Sequence, residues 1–330
     1  MKALVTGASG FVGSAVLRHL VEAGHEVRVL VRASSDRRNI AGVACEPVVG
    51  DLTDTASLAA AVAGCEAVFN VAADYRLWVA DPSAMYRANV DGTRNVLLAA
   101  AEAGATKIVH TSSVAAIGVR DDGEPADEDM QTDPARLIGP YKRSKYLADV
   151  EARRLAAEDG VPVVVVNPAA PFGARDIKPT PTGRMVVEFG RGRMPAYIDT
   201  GLNVVHVDDV ASGHLLAHQR GVVGERYILG GDNMSLRDIL ATLAAHLGRS
   251  APRIRLPRAP LFPIAWASEA IGRLAGFEPA LTIDALRMAK RPMYYSSDKA
   301  RRALGYDPRP GTDALRDAAD WYRDNGYFKG

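Results

Sequence analysis

Thr6-Gly7-Ala8-Ser9-Gly10-Phe11-Val12-Gly13 follows the run Met1-Lys2-Ala3-Leu4-Val5 and opens a stretch of helical periodicity. Gly7, Gly10 and Gly13 stand three apart. The first tolerates the dihedrals of a tight turn, the second lets backbone approach an anion, and the third lets helix and strand pack closely. N–H groups at the start of the next helix then face negative charge. A glycine triplet alone is a weak signal, but between a first strand and a first helix it predicts a pyrophosphate-binding turn. Ser9, Phe11 and Val12 join the three glycines as candidate cofactor contacts.

Outward from this turn, short β-branched runs alternate with helical periods. Strands are expected at 3–5, 27–31, 46–49, 67–71, 107–111 and 162–167, and helices at 11–23, 55–63, 90–103 and 141–158. Alternation with continuous apolar strands predicts an α/β fold, a Rossmann-type doubly wound parallel sheet covered on both faces. The second half changes character. Residues 168–201 are rich in Pro and Gly, 203–207 and 226–229 look like strands returning to the main sheet, and 236–247, 264–275 and 313–322 look helical. The expected organisation is a dinucleotide-binding domain over 1–167, revisited at about 203–230, with a smaller C-terminal substrate lobe from 168–202 and 231–330.

Composition narrows the function classes. The 330 residues are 48% hydrophobic and 24% charged, with formal net charge +1, so no strong field awaits nucleic acid or an anionic membrane. Cys45 and Cys65 have no metal-ligand spacing and read as buried thiols in a reducing cytosol. No leader precedes the first strand and no apolar run reaches membrane-span length, so a cytoplasmic location is expected.

The end of the second expected strand bears on the cofactor. An acidic residue there would hold the ribose 2′-hydroxyl of NAD. This chain has Arg32, followed by Ser34, Ser35, Arg37 and Arg38. A guanidinium stabilises a 2′-phosphate, so NADP is expected, with NAD as the alternative. Asp51-Leu52 after the third strand is placed to meet adenine, unless an acidic residue there caps a helix. Val71, Ala72 and Ala73 end the fourth strand, and Pro168 follows the sixth; both ends should border the cofactor.

Tyr141-Lys142-Arg143-Ser144-Lys145 puts Tyr141 and Lys145 on one helix face. A tyrosine is a poor base at neutral pH unless a nearby ammonium favours its phenolate. Such a pair can move a proton on or off a carbinol oxygen. The spacing is not unique, because Tyr295 and Lys299 repeat it. Context favours the first pair. Thr111-Ser112-Ser113 ends the fifth strand, where open sheets bind ligands, and Tyr141 begins the next helix. Tyr295 is expected to be structural or to face substrate.

Taken together, the glycine turn, Asp51-Leu52, Asn70-Val71-Ala72-Ala73, Asn89-Val90-Asp91-Gly92-Thr93, Thr111-Ser112-Ser113, Tyr141 to Lys145 and His206-Val207-Asp208-Asp209-Val210-Ala211 carry a resemblance to the extended short-chain dehydrogenase/reductase family over essentially the whole length. The resemblance implies Ser113 as the catalytic serine, Tyr141 as acid/base, Lys145 as its partner, and Asn89 lining the cofactor site. Within that family, 73–78 and 176–184 look like the hopanoid-associated sugar epimerase group, and the chain also resembles dihydroflavonol reductase-like proteins. Two chemistries follow: reduction of a ketone or aldehyde by NADPH, or its reverse, and epimerisation of a nucleotide sugar through a transient ketone. A dinucleotide sensor without catalysis is the third reading, and an intact Ser113, Tyr141 and Lys145 set argues against it. The expected partners are a small carbonyl or sugar substrate and a second copy of the chain, paired through 90–103 and 141–158 as this family commonly pairs. No metal is expected: His206 with Asp208 and Asp209 reads as a strand end and helix cap. The apolar run 261–277 reads as packing, with contact to lipid or a lipid-like substrate as its functional alternative.

Overall fold

The computed structural model describes residues 1–275, 279 and 281–329. In chain order, the first half forms β1 (Lys2–Thr6), α1 (Phe11–Glu22), β2 (Glu26–Val31), β3 (Glu46–Val49), α2 (Thr55–Val62), β4 (Ala67–Asn70), α3 (Ser83–Tyr86), a π-helical turn (Arg87–Asp91), α4 (Gly92–Glu102), β5 (Lys107–Thr111), α5 (Gly139–Asp159) and β6 (Val163–Pro168). The second half forms β7 (Ala170–Phe172), α6 (Pro181–Gly190), β8 (Ala196–Ile198), β9 (Gly201–His206), α7 (Val207–Arg220), β10 (Arg226–Leu229), β11 (Asp232–Ser235), α8 (Leu236–Leu247), β12 (Ile254–Leu256), α9 (Leu261–Ala275), α10 (Ile283–Met288), α11 (Asp298–Leu304) and α12 (Gly311–Asp324).

Seven strands form one parallel sheet in the order β10-β6-β5-β4-β1-β2-β3. Alternation along each strand decides which face a side chain covers. Ala3, Val5, Phe69, Val109, Val164 and Val166 pack in one core with residues of α1 and α7. Their neighbours Leu4, Val68, Ile108, Val163 and Val165 pack in another with residues of α2, α4 and α5. The four consecutive valines of β6 are all fully buried, as a central strand covered on both faces requires. The chain runs β1-β2-β3 to one side and β4-β5-β6 to the other, so a crevice opens between β1 and β4 at their carboxyl ends.

The strand expected at 203–207 does not return to the main sheet. Gly201–His206 pairs in parallel with β7 and antiparallel with β11, forming a separate three-stranded sheet. The place beside β6 is already taken by β10, which joins as expected. A third core unites Phe172, Val186, Phe189, Leu240, Leu315 and Tyr322 from β7, α6, α8 and α12. Residues 261–275 of the apolar run form α9; Phe277 and the side chain of Leu274 lie outside the described residues. Among the described residues no helix is long and apolar enough to cross a membrane.

Candidate active site

The glycine turn is built by close approach. Gly7 has φ of +71°, and a Cβ there would lie 2.7 Å from the Ala72 backbone. A Cβ at Gly13 would lie 2.2 Å from the Gly7 carbonyl oxygen. Gly10 begins α1 with no side-chain cap, which leaves first-turn N–H groups to a ligand. Ser9 is held from behind, since buried Asn39 donates through Nδ2 to the Ser9 carbonyl and to that of Arg175, 3.2 Å each. This narrow cradle of bare backbone fits a dinucleotide pyrophosphate.

A belt of side chains ties the strand ends together. Thr6 Oγ1 donates to Asn70 Oδ1 at 2.8 Å and accepts from the N–H groups of Val71 and Ala72, 3.1 Å each. Asn70 Nδ2 donates to His110 Nδ1 at 3.2 Å. Burial holds His110 well below the usual imidazole range, so a neutral ring accepts there. Val71, Ala72 and Ala73 are thereby fixed against the glycine turn.

At the tip of β2, the Arg32 side chain is exposed. The Arg32 backbone N–H donates to Ser35 Oγ at 3.0 Å. Asp36, the nearest acidic residue in sequence, is taken by Arg38, which holds its carboxyl down at about 2. Asp51 accepts from Thr53 N–H at 2.9 Å and Thr53 Oγ1 at 2.7 Å, and Arg32's charge adds to that lowering of its carboxyl. The helix cap near it is Asp54, which accepts from Ala56 and Ser57. The Leu52 carbonyl accepts from Asn95 Nδ2 at 3.1 Å.

Ser113 and Tyr141 meet. The Ser113 side chain is near enough to the Tyr141 phenol to favour its ionised form. Ser113 follows β5, where its Oγ accepts from Ala115 N–H at 3.1 Å. Tyr141 lies in the first turn of α5. Burial raises its phenol, and the Ser113 contact opposes the rise. The phenolate expected from a neighbouring ammonium is therefore not favoured in this state. Lys145 Nζ donates to the Thr111 carbonyl at 2.7 Å. Lys145 is itself buried and pushed down to about 8, against the attraction of Asp149. Pro168 closes β6, next to Asn167, whose Nδ2 donates to the Ser113 carbonyl at 3.0 Å and to Asp149 at 3.1 Å.

Asn89 lies in the π-helical turn and is buried. Its Oδ1 accepts from Asp74 N–H at 2.7 Å, and its Nδ2 donates to the Asp74 carbonyl and to Ser144 Oγ, 2.9 Å each. It clamps the 73–74 turn to α5. The segments 73–78 and 176–184 are near each other, since the charges of Asp176 and Arg184 act on the Tyr75 phenol. Asp176 is buried and structural, accepting from Thr180 N–H, Thr180 Oγ1 and the Tyr322 hydroxyl.

A cavity of about 770 Å3 opens beside this cluster. Ile117 and Gly118, just beyond Ser113, and Leu137, Ile138 and Lys142, around the start of α5, form one side. Phe262, Leu286, Met288 and Met293 form the other. Lys142 Nζ has the Met293 sulfur at 3.8 Å, and burial pushes the amine down to about 8. Lys142 lies inside the Tyr141-Lys142-Arg143-Ser144-Lys145 run, but the Tyr141–Lys145 spacing gives no sign of its place in the cavity wall. Asn39 carries no local signal at all, and Asn70 is marked only as the first residue of the Asn70-Val71-Ala72-Ala73 strand end.

The second tyrosine–lysine pair does not form a site. Tyr295 is buried in a small core with Ile117, Ala126 and Ile228. Lys299 pairs with Glu225 at 2.6 Å and lies over the Tyr227 ring. His206 ends β9 and caps α7 by accepting from Asp208 N–H, while Asp209 pairs with Arg309. Among the described residues no group of three His, Cys, Asp or Glu is placed to hold a metal. Cys45 and Cys65 are free thiols, both raised by burial.

The model of the NAD dependent epimerase/dehydratase family matches residues 3–230. A Synechocystis sp. protein with the provisional name dihydroflavonol 4-reductase is 47% identical over 329 residues, covering 98% of this chain and 95% of its own. Among solved structures, that of gox2253 superposes with a TM-score of 0.89 at 53% identity over 99% of each chain. A dTDP-glucose 4,6-dehydratase from Streptomyces venezuelae, solved with NAD and TYD bound, superposes with a TM-score of 0.79 at 26% identity, over 99% of this chain and 98% of that one.

Proposed function

Because the chain belongs to the NAD dependent epimerase/dehydratase family, enzymes that work with a nicotinamide dinucleotide, we propose that it is an NADP(H)-dependent reductase of a ketone or aldehyde. The observation that carries this reading is the placing of Ser113 beside a buried, protonated Tyr141. The turn Gly7–Gly13, Val71 to Ala73 and Pro168 hold the dinucleotide along the crevice, with Asp51 and Leu52 toward adenine. Arg32 meets the 2′-phosphate. When bound, the dinucleotide supplies or takes the hydride.

The protein's own residues handle the oxygen and its proton. Ser113 donates to the substrate carbonyl oxygen and orients it. Tyr141 gives its phenolic proton to that oxygen as it becomes an alkoxide. A phenol raised by burial is protonated at neutral pH, which suits donation better than abstraction. Lys145 binds ribose, and its charge stabilises the phenolate left behind. The reductase name of the Synechocystis relative and the basic tip of β2 both support net reduction.

The NAD-bound dehydratase neighbour favours a second reading, a nucleotide-sugar epimerase or dehydratase that uses the same three side chains and regenerates its cofactor. Purified protein with NADPH and a panel of carbonyl compounds separates the two. Stoichiometric loss of nicotinamide absorbance supports the reductase. Substrate conversion with no net absorbance change overturns it in favour of the epimerase. We also propose a homodimer through α4 and α5, supported by Leu147 and Val150, which α5 leaves exposed.

A further inference from the structure

Helix α9 is amphipathic in the wrong sense for a packed surface helix. Its buried positions are Ala265 and Gly272, while Ser268 and Glu269 are half-buried beside them. The Glu269 carboxylate accepts from Ile283 N–H at 2.7 Å. Among the described side chains of α9, the exposed ones are Pro263, Ile264, Trp266, Ala267 and Ile271, none of them polar. Ile264 is 58% exposed, Trp266 67% and Ile271 55%. The adjoining β12 adds Ile254 at 61%. Water-facing positions of an ordinary amphipathic helix are polar, so this face is built to be covered.

The surrounding charge says by what. Between 251 and 292 stand seven basic residues and three acidic ones, in a chain whose formal net charge is +1. Arg253, Arg255, Arg287 and Lys290 are exposed. Arg255 pairs with Asp199 and Arg287 with Asp284, while Arg253 and Lys290 add exposed positive charge to the same segment; apolar side chains with a tryptophan, in a segment with this basic excess, match a headgroup layer bearing negative charge. We propose that α9 and β12 form a docking surface for an anionic lipid bilayer, with α9 lying in the plane of the interface. Pro257, Arg258, Ala259 and Phe262 belong to this surface region and also line the cavity beside Lys142. An apolar substrate held in the bilayer therefore meets that cavity directly. This consequence rests on the catalytic reading above; the docking does not.

The test is sedimentation of the full chain with phosphatidylcholine vesicles, with and without phosphatidylglycerol. The protein is expected to sediment with the phosphatidylglycerol vesicles, less so in added salt, and its tryptophan emission should shift to the blue. The triple variant Ile264→Ser, Trp266→Ser, Ile271→Ser should bind about 100-fold more weakly with an unchanged melting temperature. Arg253→Gln with Lys290→Gln should reduce the preference for phosphatidylglycerol. Failure of the wild type to sediment, or equal binding by the triple variant, overturns the proposal. A wild-type oligomer that the triple variant dissociates, without vesicle binding, also overturns it and makes the face a contact between copies. Vesicle binding is measured without substrate, so loss of docking leaves the reductase reading standing, and absence of turnover leaves docking standing.

Discussion

Asn89 Nδ2 donates to Ser144 Oγ at 2.9 Å, and through that bond the π-helical turn is fixed to the helix that carries Tyr141 and Lys145. Asn89 also holds both backbone groups of Asp74. Replacing it by Leu leaves buried donors and acceptors unpaired, at a cost of about 1–3 kcal/mol for each group. Asn89→Leu is expected to lower both the melting temperature and turnover, since the 73–74 turn and α5 lose their common anchor. Asn89→Leu/Ser144→Ala should cost less than the sum of Asn89→Leu and Ser144→Ala, because the Asn89–Ser144 bond is lost in either single variant. A strictly additive double variant would show that the two side chains do not act as one contact.

Tyr141→Phe should lose about 10²–10⁴-fold in turnover while binding cofactor normally, as expected for loss of a general acid. Tyr295→Phe should turn over normally, since its side chain lies in a separate core. Full activity in Tyr141→Phe would transfer the proton chemistry to another group.

Arg32 sets the cofactor prediction. The wild type should bind NADP about 10–150-fold more tightly than NAD, the equivalent of one charge-assisted hydrogen bond. Arg32→Asp should reverse the order, because a carboxylate repels the phosphate and accepts from a ribose hydroxyl. Titration of both cofactors into both proteins decides it. Equal or tighter NAD binding by the wild type would favour the epimerase reading.

Acid should destabilise the fold in a defined window. Burial lowers His214 from 6.5 to about 4, and its Nε2 accepts from the Thr111 hydroxyl at 2.8 Å while Nδ1 donates to the Val210 carbonyl. The unfolded chain takes a proton that the folded ring resists. Stability therefore falls as pH drops from 6.5 to about 4, by roughly 3 kcal/mol for this residue. His110 contributes with the same sign. Melting temperatures from pH 7 downward (roughly one unit per step) should show a shallower fall in His214→Asn than in the wild type. Parallel curves would remove His214 from the account.

The dimer is tested at Leu147 and Val150. Leu147→Glu with Val150→Glu places two charges on the exposed side of α5 and should give a monomer by light scattering. A wild-type monomer at micromolar concentration would dismiss the interface.

Much of the first half was legible because its signals are local. The strands at 46–49 and 107–111 keep the bounds expected for them, and the glycine turn lies between β1 and α1 as its spacing requires. The second half depends on distant partners. Nothing in Asn203-Val204-Val205 distinguishes pairing with β7 and β11 from pairing with β6; competition with β10 for that position decides it. The chemistry of Tyr141 was only half legible. Spacing brings Lys145 to the same helix face, but the Thr111 carbonyl that occupies its ammonium comes from another strand. The inverted polarity of α9 needed the structure as well, because the sequence shows an apolar run without showing which side faces water.

The Thr6–Asn70–His110 belt joins β1, β4 and β5 at the edge where the crevice opens. Backbone ladders fix strands along their length, but here three side chains also set the spacing at the rim, and the Thr6 hydroxyl pins the turn that faces Gly7. The crevice is thus a slot of fixed gauge rather than a jaw. A side chain at position 7 would run into the Ala72 backbone that the same belt fixes, so the gauge of the slot depends on glycine there.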